Sequence, residues 1–235
     1  AHTVGILDET SDVKKGDKTP GVQRQWCGKV GKRENCVVTV HLTAATGFDA
    51  FVHCFEAYCA PGYHPMADGI ALEGMVLAAK HLPKAVRDGG DMEARTHMMC
   101  VAAMGATAFQ KGLGAMHALA HPLGALYDAH HGLLNAILMP YVLVANRDKI
   151  SPQLGRLARY LDLPEPGFDG FLHWVLALRE GISIPAALRA IGIDDSRVDE
   201  IGPMAVADAA AATNPVQFDA SQYSHILADA INGHL

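Results

Sequence analysis

Between Gly112 and Pro140 the chain reads GLGAMHALAHPLGALYDAHHGLLNAILMP. This stretch holds His117, His121, His130 and His131, four of the thirteen histidines, within fifteen residues. His117 and His121 are four apart and share a face if the segment is helical. Pro122 disfavours simple continuation of that helix, and Gly124 loosens the turn. His131 then heads a second apolar run, LLNAILMPYVLVAN. The pattern predicts two helices joined by a short loop, with imidazoles gathered at the joint. Upstream, TGFDAFVHCFEAY sets Asp49 and His53 four apart in a helical pattern. Imidazole nitrogen and carboxylate oxygen both suit a divalent zinc or iron ion. Asp49, His53, His117 and His131 together make a full ligand set with one negative charge. A dication held there keeps a net positive centre, which can polarise a carbonyl or stabilise an alkoxide.

Each of these residues also has a plainer reading. Asp49 could be hydrogen-bonded near a helix start, and His53 could be a satisfied core histidine. The segment from Thr46 to Tyr58 is apolar on nearly every side, so it is expected to be buried. An unpaired carboxylate there would be costly. His121, one turn after His117, could support the metal or relay a proton. His130 could cap the loop, and Asn135 could hydrogen-bond across the joint. His64, His81, His97, His173, His225 and His234 stand outside any cluster and read as surface or packing residues.

The elements that must position these groups are helical. With 235 residues, half of them apolar and 19% charged, the chain can bury a sizeable core as a globular protein. The net charge of -6 gives no reason to expect nucleic acid or an anionic membrane as partner. No apolar run reaches membrane-spanning length, and Ile137 to Ala145 is too short. Nothing at the start reads as a secretory leader, so the cytoplasm is the default compartment. Cys27, Cys36, Cys54, Cys59 and Cys100 are odd in number and irregularly spaced, which argues against a disulfide scaffold. A Cys27–Cys36 pairing or half of a small zinc site stays open.

Residues 1 to 42 differ from the rest: charged, glycine-bearing, with β-type runs at Thr3–Leu7 and Cys36–Val40. A hairpin, an extended arm and a domain remnant are all compatible. From Thr43 onward the periodicity predicts nine or ten helices. Thr46 is the expected cap of the first. Met66–His81 forms the next, with Pro83 at its end or at a kink, followed by Asp91–Lys111. Gly105 would admit a close neighbour. Ser151 is expected to start a separate helix with Pro152 at its first position. Further helices are expected over Phe168–Glu180, behind Pro185, over Val198–Ala212 and over Ser221–Ile231. Phosphate-loop, G-x-S-x-G and HExxH motifs are absent.

Taken together, LTAATGFDAFVHCFEAYCAPGYHPMADGIALEGM and EARTHMMCVAAMGATAFQKGLGAMHALAHPLGALYDAHHGLLNAILMPYVLVAN carry a family pattern. The chain resembles the C-terminal helical domain of the iron-containing (group III) alcohol dehydrogenases. That group includes lactaldehyde reductases, butanol dehydrogenases and hydroxyacid–oxoacid transhydrogenases. The match is strong over residues 42 to 147 and looser to 235. The resemblance implies an all-α, dehydroquinate synthase-like metal-binding domain over 43–235, behind a short atypical segment, 1–42. It also implies Asp49, His53, His117 and His131 as ligands of ferrous iron, with zinc the alternative. His121 would be the catalytic and cofactor-facing residue beside the nicotinamide of NAD or NADP. The implied substrate is a small primary alcohol or aldehyde, and the implied assembly a dimer or larger homo-oligomer.

The family's dinucleotide-binding domain carries a GGGS-type loop and D-x-x-K, and residues 1–42 contain neither. The chain is thus expected to be a fragment, to take that domain from a separate polypeptide, or to have lost activity. A non-catalytic metal-binding helical subunit is the alternative function.

Overall fold

The computed structural model describes Ser11–Val13, Gln23–Cys27, Lys32–Val38 and all residues from Ala44 to Leu235. The chain divides into two compact units, 1–42 and 43–235. In the first, β1 (Ser11–Val13), β2 (Gln23–Cys27) and β3 (Lys32–Val38) form an antiparallel sheet of order β1-β3-β2. Ser11 lies opposite Val38, and Gln23 opposite Cys36. The expected β-type run at Cys36–Val40 overlaps β3 as far as Val38. The run at Thr3–Leu7 lies outside the described residues.

The second unit is helical. It comprises α1 (Ala44–Cys59), α2 (Pro65–Arg87), α3 (Met92–Ala108), α4 (Ala115–Tyr127), α5 (His131–Tyr160), α6 (Gly167–Gly181), α7 (Val198–Ala207) and α8 (Ala220–Asn232). Short 3-10 turns follow α3 and bracket α7. Helix α1 is the hub and packs against α2, α3 and α5. Phe48, Phe51 and Phe55 on α1 meet Phe171 and Trp174 on α6 in a chain of stacked and tilted rings. Aromatic burial of this kind dominates core energetics. It explains why α1 is apolar almost all round.

Two glycines let neighbouring helices come close to α1 where its polar residues lie. A Cβ at Gly105 on α3 would come within 2.9 Å of the His53 Cβ, as the expected close packing requires. A Cβ at Gly132 on α5 would meet the Ala45 carbonyl oxygen at 2.8 Å and the Asp49 Cβ at 3.0 Å.

Several expected boundaries are corrected, most of them at prolines. Helix α4 runs through Pro122 to Tyr127, and α2 runs through Pro83 to Arg87. Helix α5 is continuous over thirty residues, with Pro140 and Pro152 inside it. Ser151 therefore starts no helix; its hydroxyl donates to the Arg147 carbonyl one turn back at 2.6 Å. Each internal proline forfeits one backbone bond, but Pro122 and Pro140 are themselves buried and packed. Thr46 lies inside α1, which is already helical at Ala44. The segment behind Pro185 is a 3-10 turn, Leu188–Ile191, stopped by Gly192 at φ 84°. The alanine-rich run expected to be one helix breaks at Asp208, whose carboxylate caps the following turn. No helix among the described residues is long and apolar enough to cross a membrane.

Candidate metal centre

Three helices deliver the site. Asp49 and His53 project from α1, His117 from the first turn of α4, and His131 from the first residue of α5. The expected tight joint between α4 and α5 lies at residues 128–130 rather than at Pro122. Asp128 takes the left-handed conformation, φ 51°, that ends α4. His130 then caps α5, its Nδ1 accepting from the Leu133 amide at 3.2 Å. This cap sets His131 at the mouth of the helix, and Gly132 beside it lets that end of α5 approach α1. His64, expected only at the surface or in packing, caps α2 in the same manner.

One ligand atom from each of Asp49, His53, His117 and His131 can be chosen so that all four lie within 4.8 Å of one another. Asp49 Oδ1 is 3.9 Å from Nε2 of His117 and 3.9 Å from Nε2 of His131. Asp49 Oδ2 is 4.0 Å from Nδ1 of His53. Donors about 2.1 Å from a common centre can be at most about 4.2 Å apart, so all three spacings meet that limit. His53 stacks on His117 with ring centroids 4.6 Å apart, and His117 lies 5.2 Å from His131. Exposure rises across the cluster. His117 is 1% and Asp49 3% exposed, whereas the His131 side chain is 27% exposed. The centre is thus closed behind and open at the α5 end.

Asn135, one turn after His131, lies behind the cluster and is fully buried. Its Nδ2 is 2.7 Å from Asp49 Oδ1, 3.2 Å from His117 Nε2 and 3.1 Å from His131 Nε2. This is the expected bond across the joint. An amide nitrogen has two hydrogens, so it cannot serve the Asp49 oxygen and both ring nitrogens at once when those nitrogens carry lone pairs. The amide oxygen of Asn135 is itself buried without a partner. A cation at the point where these lone pairs converge would satisfy all three, and the donor set fits a divalent ion on that ground.

Burial pushes the His53 pKa down to about 4, with the His117 and His131 rings adding to the effect and Asp49 and Glu56 opposing it. Burial disfavours charge on His117, but the Glu56 carboxylate and its hydrogen bond, together with Asp49 and Asp208, offset this and raise the pKa. His121, expected beside the metal, stands next to the cluster. Its ring stacks on His131 at 5.4 Å and its side chain is 45% exposed. Its Nδ1 is 2.8 Å from Oδ2 of Asp208.

Three residues were not anticipated. Glu56 accepts from the Gly114 and Met116 amides and contacts His117 Nδ1. Asp208 holds His121. Asn214 accepts from the Ala115 amide and pairs with Asn146. Glu56 had a sequence signal: Asp49, His53 and Glu56 follow i, i+4, i+7 spacing, a polar stripe on an apolar helix. Asp208 and Asn214 had none, because their partners are 87 and 99 residues away.

A model of the C-terminal part of the Fe-containing alcohol dehydrogenase family matches residues 43–231. The 4-hydroxybutyrate dehydrogenase of Cupriavidus necator is 41% identical over 195 residues, 79% of this chain and 50% of that protein. The 1,3-propanediol dehydrogenase of Citrobacter freundii is 33% identical over 200 residues, 80% of this chain and 51% of that protein. Among solved structures, the alcohol dehydrogenase from Oenococcus oeni superimposes with a TM-score of 0.76 at 30% identity, covering 80% of this chain and 51% of that one. The chain spans about half the length of the curated relatives it matches. By its sequence over residues 43–231, the chain belongs to the iron-containing alcohol dehydrogenase family.

Proposed function

We propose that the chain carries the metal centre of an NAD(P)-dependent oxidoreductase that interconverts a small primary alcohol and its aldehyde. The observation that carries this reading is the convergence of one carboxylate and three imidazoles from three helices. The relatives support the reaction class, since those named above are alcohol, diol and hydroxy-acid dehydrogenases. Asp49, His53, His117 and His131 would hold the ion, ferrous iron or zinc, both of which accept this donor set. When bound, the ion supplies a positive centre that polarises a carbonyl oxygen or favours ionisation of an alcohol. NAD or NADP, when bound, exchanges a hydride with the substrate carbon.

The chain's own residues do the rest. Asp49 contributes the negative charge of the ligand set, and Asn135 donates to Oδ1 to hold that carboxylate in place. The exposure gradient from His117 to His131 leaves one side for substrate to approach. His121 faces that side. Asp208 accepts its Nδ1 proton, which leaves Nε2 to take or return the proton of a substrate hydroxyl. The phenyl ring of Phe109 lies 5.6 Å from His53 and contributes an apolar wall.

The test is anaerobic reconstitution of the native gene product with ferrous ion, followed by NAD(P)H oxidation with small primary aldehydes. Turnover that needs the ion and disappears in His131→Ala supports the reading. Ion-independent turnover, or none with a saturating ion, contradicts it.

A further inference from the structure

Helix α1 presents a second buried carboxylate that the ligand set does not use. Glu56 is 4% exposed, and among the described residues no lysine or arginine pairs with it. A carboxylate buried in this way is costly unless hydrogen bonds compensate. Glu56 has three. Oε1 accepts from the Met116 amide at 2.8 Å, and Oε2 accepts from the Gly114 amide at 2.9 Å. Oε2 also lies 2.6 Å from Nδ1 of His117. Its charge sits at the N-terminus of α4, where the helix dipole favours an anion. The fit is tight, because a Cβ at Gly114 would come within 2.9 Å of Oε1.

We propose that Glu56 is a positioning residue that locks His117 in the one tautomer able to bind an ion and ties that ring to the docking of α4. The proposal deepens the metal-centre reading above and rests on it. The tautomer follows from donor counting. An ionised carboxylate can only accept. Nδ1 of His117, 2.6 Å from Oε2, must therefore carry the hydrogen, and in the neutral ring Nε2 is left with its lone pair. That atom faces the cluster, 3.9 Å from Asp49 Oδ1. The Asn135 amide, 3.2 Å from the same Nε2, is placed to donate into that lone pair and so agrees with the assignment. Glu56 thus selects the ligating face of the ring through one hydrogen bond and fixes the first turn of its helix through two more. Outer carboxylates of this type orient histidine ligands and raise their basicity.

Glu56→Gln separates charge and tautomer from shape. Glutamine has one acceptor oxygen where three N–H groups converge. Its amide must point a donor either at the Met116 amide or at the Gly114 amide and Nδ1 together. The second arrangement forces the hydrogen onto Nε2 and removes the ligating lone pair. Two measurements test this. The first is Zn2+ affinity of the native and Glu56→Gln proteins by chelator competition. The expected loss is about ten- to a hundredfold. The second is the ring 15N spectrum of His117 in metal-free native protein, taken at a pH high enough for the ring to be neutral. It should show hydrogen on Nδ1, and Glu56→Gln should move that hydrogen toward Nε2. A folded Glu56→Gln protein that holds Zn2+ as tightly as the native one overturns the proposal. So does an Nε2–H ring in the native protein, whether or not the variant folds. If the native protein takes up no Zn2+, the metal-centre reading fails, and the tautomer spectrum alone then decides the role of Glu56.

Discussion

Among the described residues, two of the stacked imidazole pairs have nearly the same geometry. His53 and His117 lie 4.6 Å apart at 22°, joining α1 to α4. His81 and His97 lie 4.0 Å apart at 21°, joining α2 to α3. Only the first pair has carboxylates within ion-pairing distance; Glu93 reaches the second as a longer-range charge. Asp49 and Glu56 flank the first pair, and His131 completes it from a third helix. Among the described residues, no carboxylate comes within ion-pairing distance of His81 or His97. His81 is buried, its Nδ1 has no partner, and burial lowers its pKa, with His97 adding to the effect. Histidine stacking therefore does not distinguish the proposed metal site. The convergence of a carboxylate with three imidazoles does.

The largest expected effect breaks the first pair's advantage. His131→Ala removes a ligand from the open end, and ion affinity should fall by more than about a hundredfold, beyond the loss of a supporting hydrogen bond. Equilibrium dialysis with metal analysis measures it. Asp208→Asn should leave ion content unchanged but lower turnover by about ten- to a hundredfold, since the asparagine oxygen can still cap the Ala210 amide while the His121 proton site is disturbed. Steady-state kinetics beside metal analysis separates the two. A fall in ion content would place Asp208 in the wrong role.

Smaller effects sharpen the contrast from the other side. His81→Leu should leave ion content intact. The neutral His81 ring contributes stability that is present above the ordinary histidine pKa. That contribution is lost as pH falls through this value toward the lowered folded one. His81→Leu should therefore reduce the drop in Tm between pH 8 and pH 5 by about 1 to 3 °C. An unchanged pH profile by calorimetry would show that the pair carries no such cost. Cysteines beside the two pairs should also differ. Burial pushes Cys54, next to His53, up to about 12, while Cys100, one turn from His97, is exposed. Alkylation followed by peptide mass spectrometry should modify Cys100 at least about a hundredfold faster. Comparable rates would mean that α1 opens readily.

What could be seen in the sequence was whatever is written in local spacing. Asp49 and His53 share a helix face because they are four apart, and that pattern alone aligned them. The helical character of residues 43 onward followed from periodicity. The helix ends did not, since Pro83, Pro122 and Pro152 read as breaks where buried packing holds each helix together. The meeting of α1 with α4 and α5 is a tertiary fact. Histidine clustering hinted at it, and the family resemblance specified it. Glu56 was legible in principle from its register with Asp49 and His53. Asp208 was not, because nothing near it in the chain refers to His121.

The most direct test of the metal centre is an anomalous difference map at the iron edge, from crystals grown anaerobically with ferrous ion. One peak is expected, about 2.0 to 2.2 Å from side-chain donors of Asp49, His53, His117 and His131. A peak at the His81–His97 pair, or none among these four residues, would contradict it.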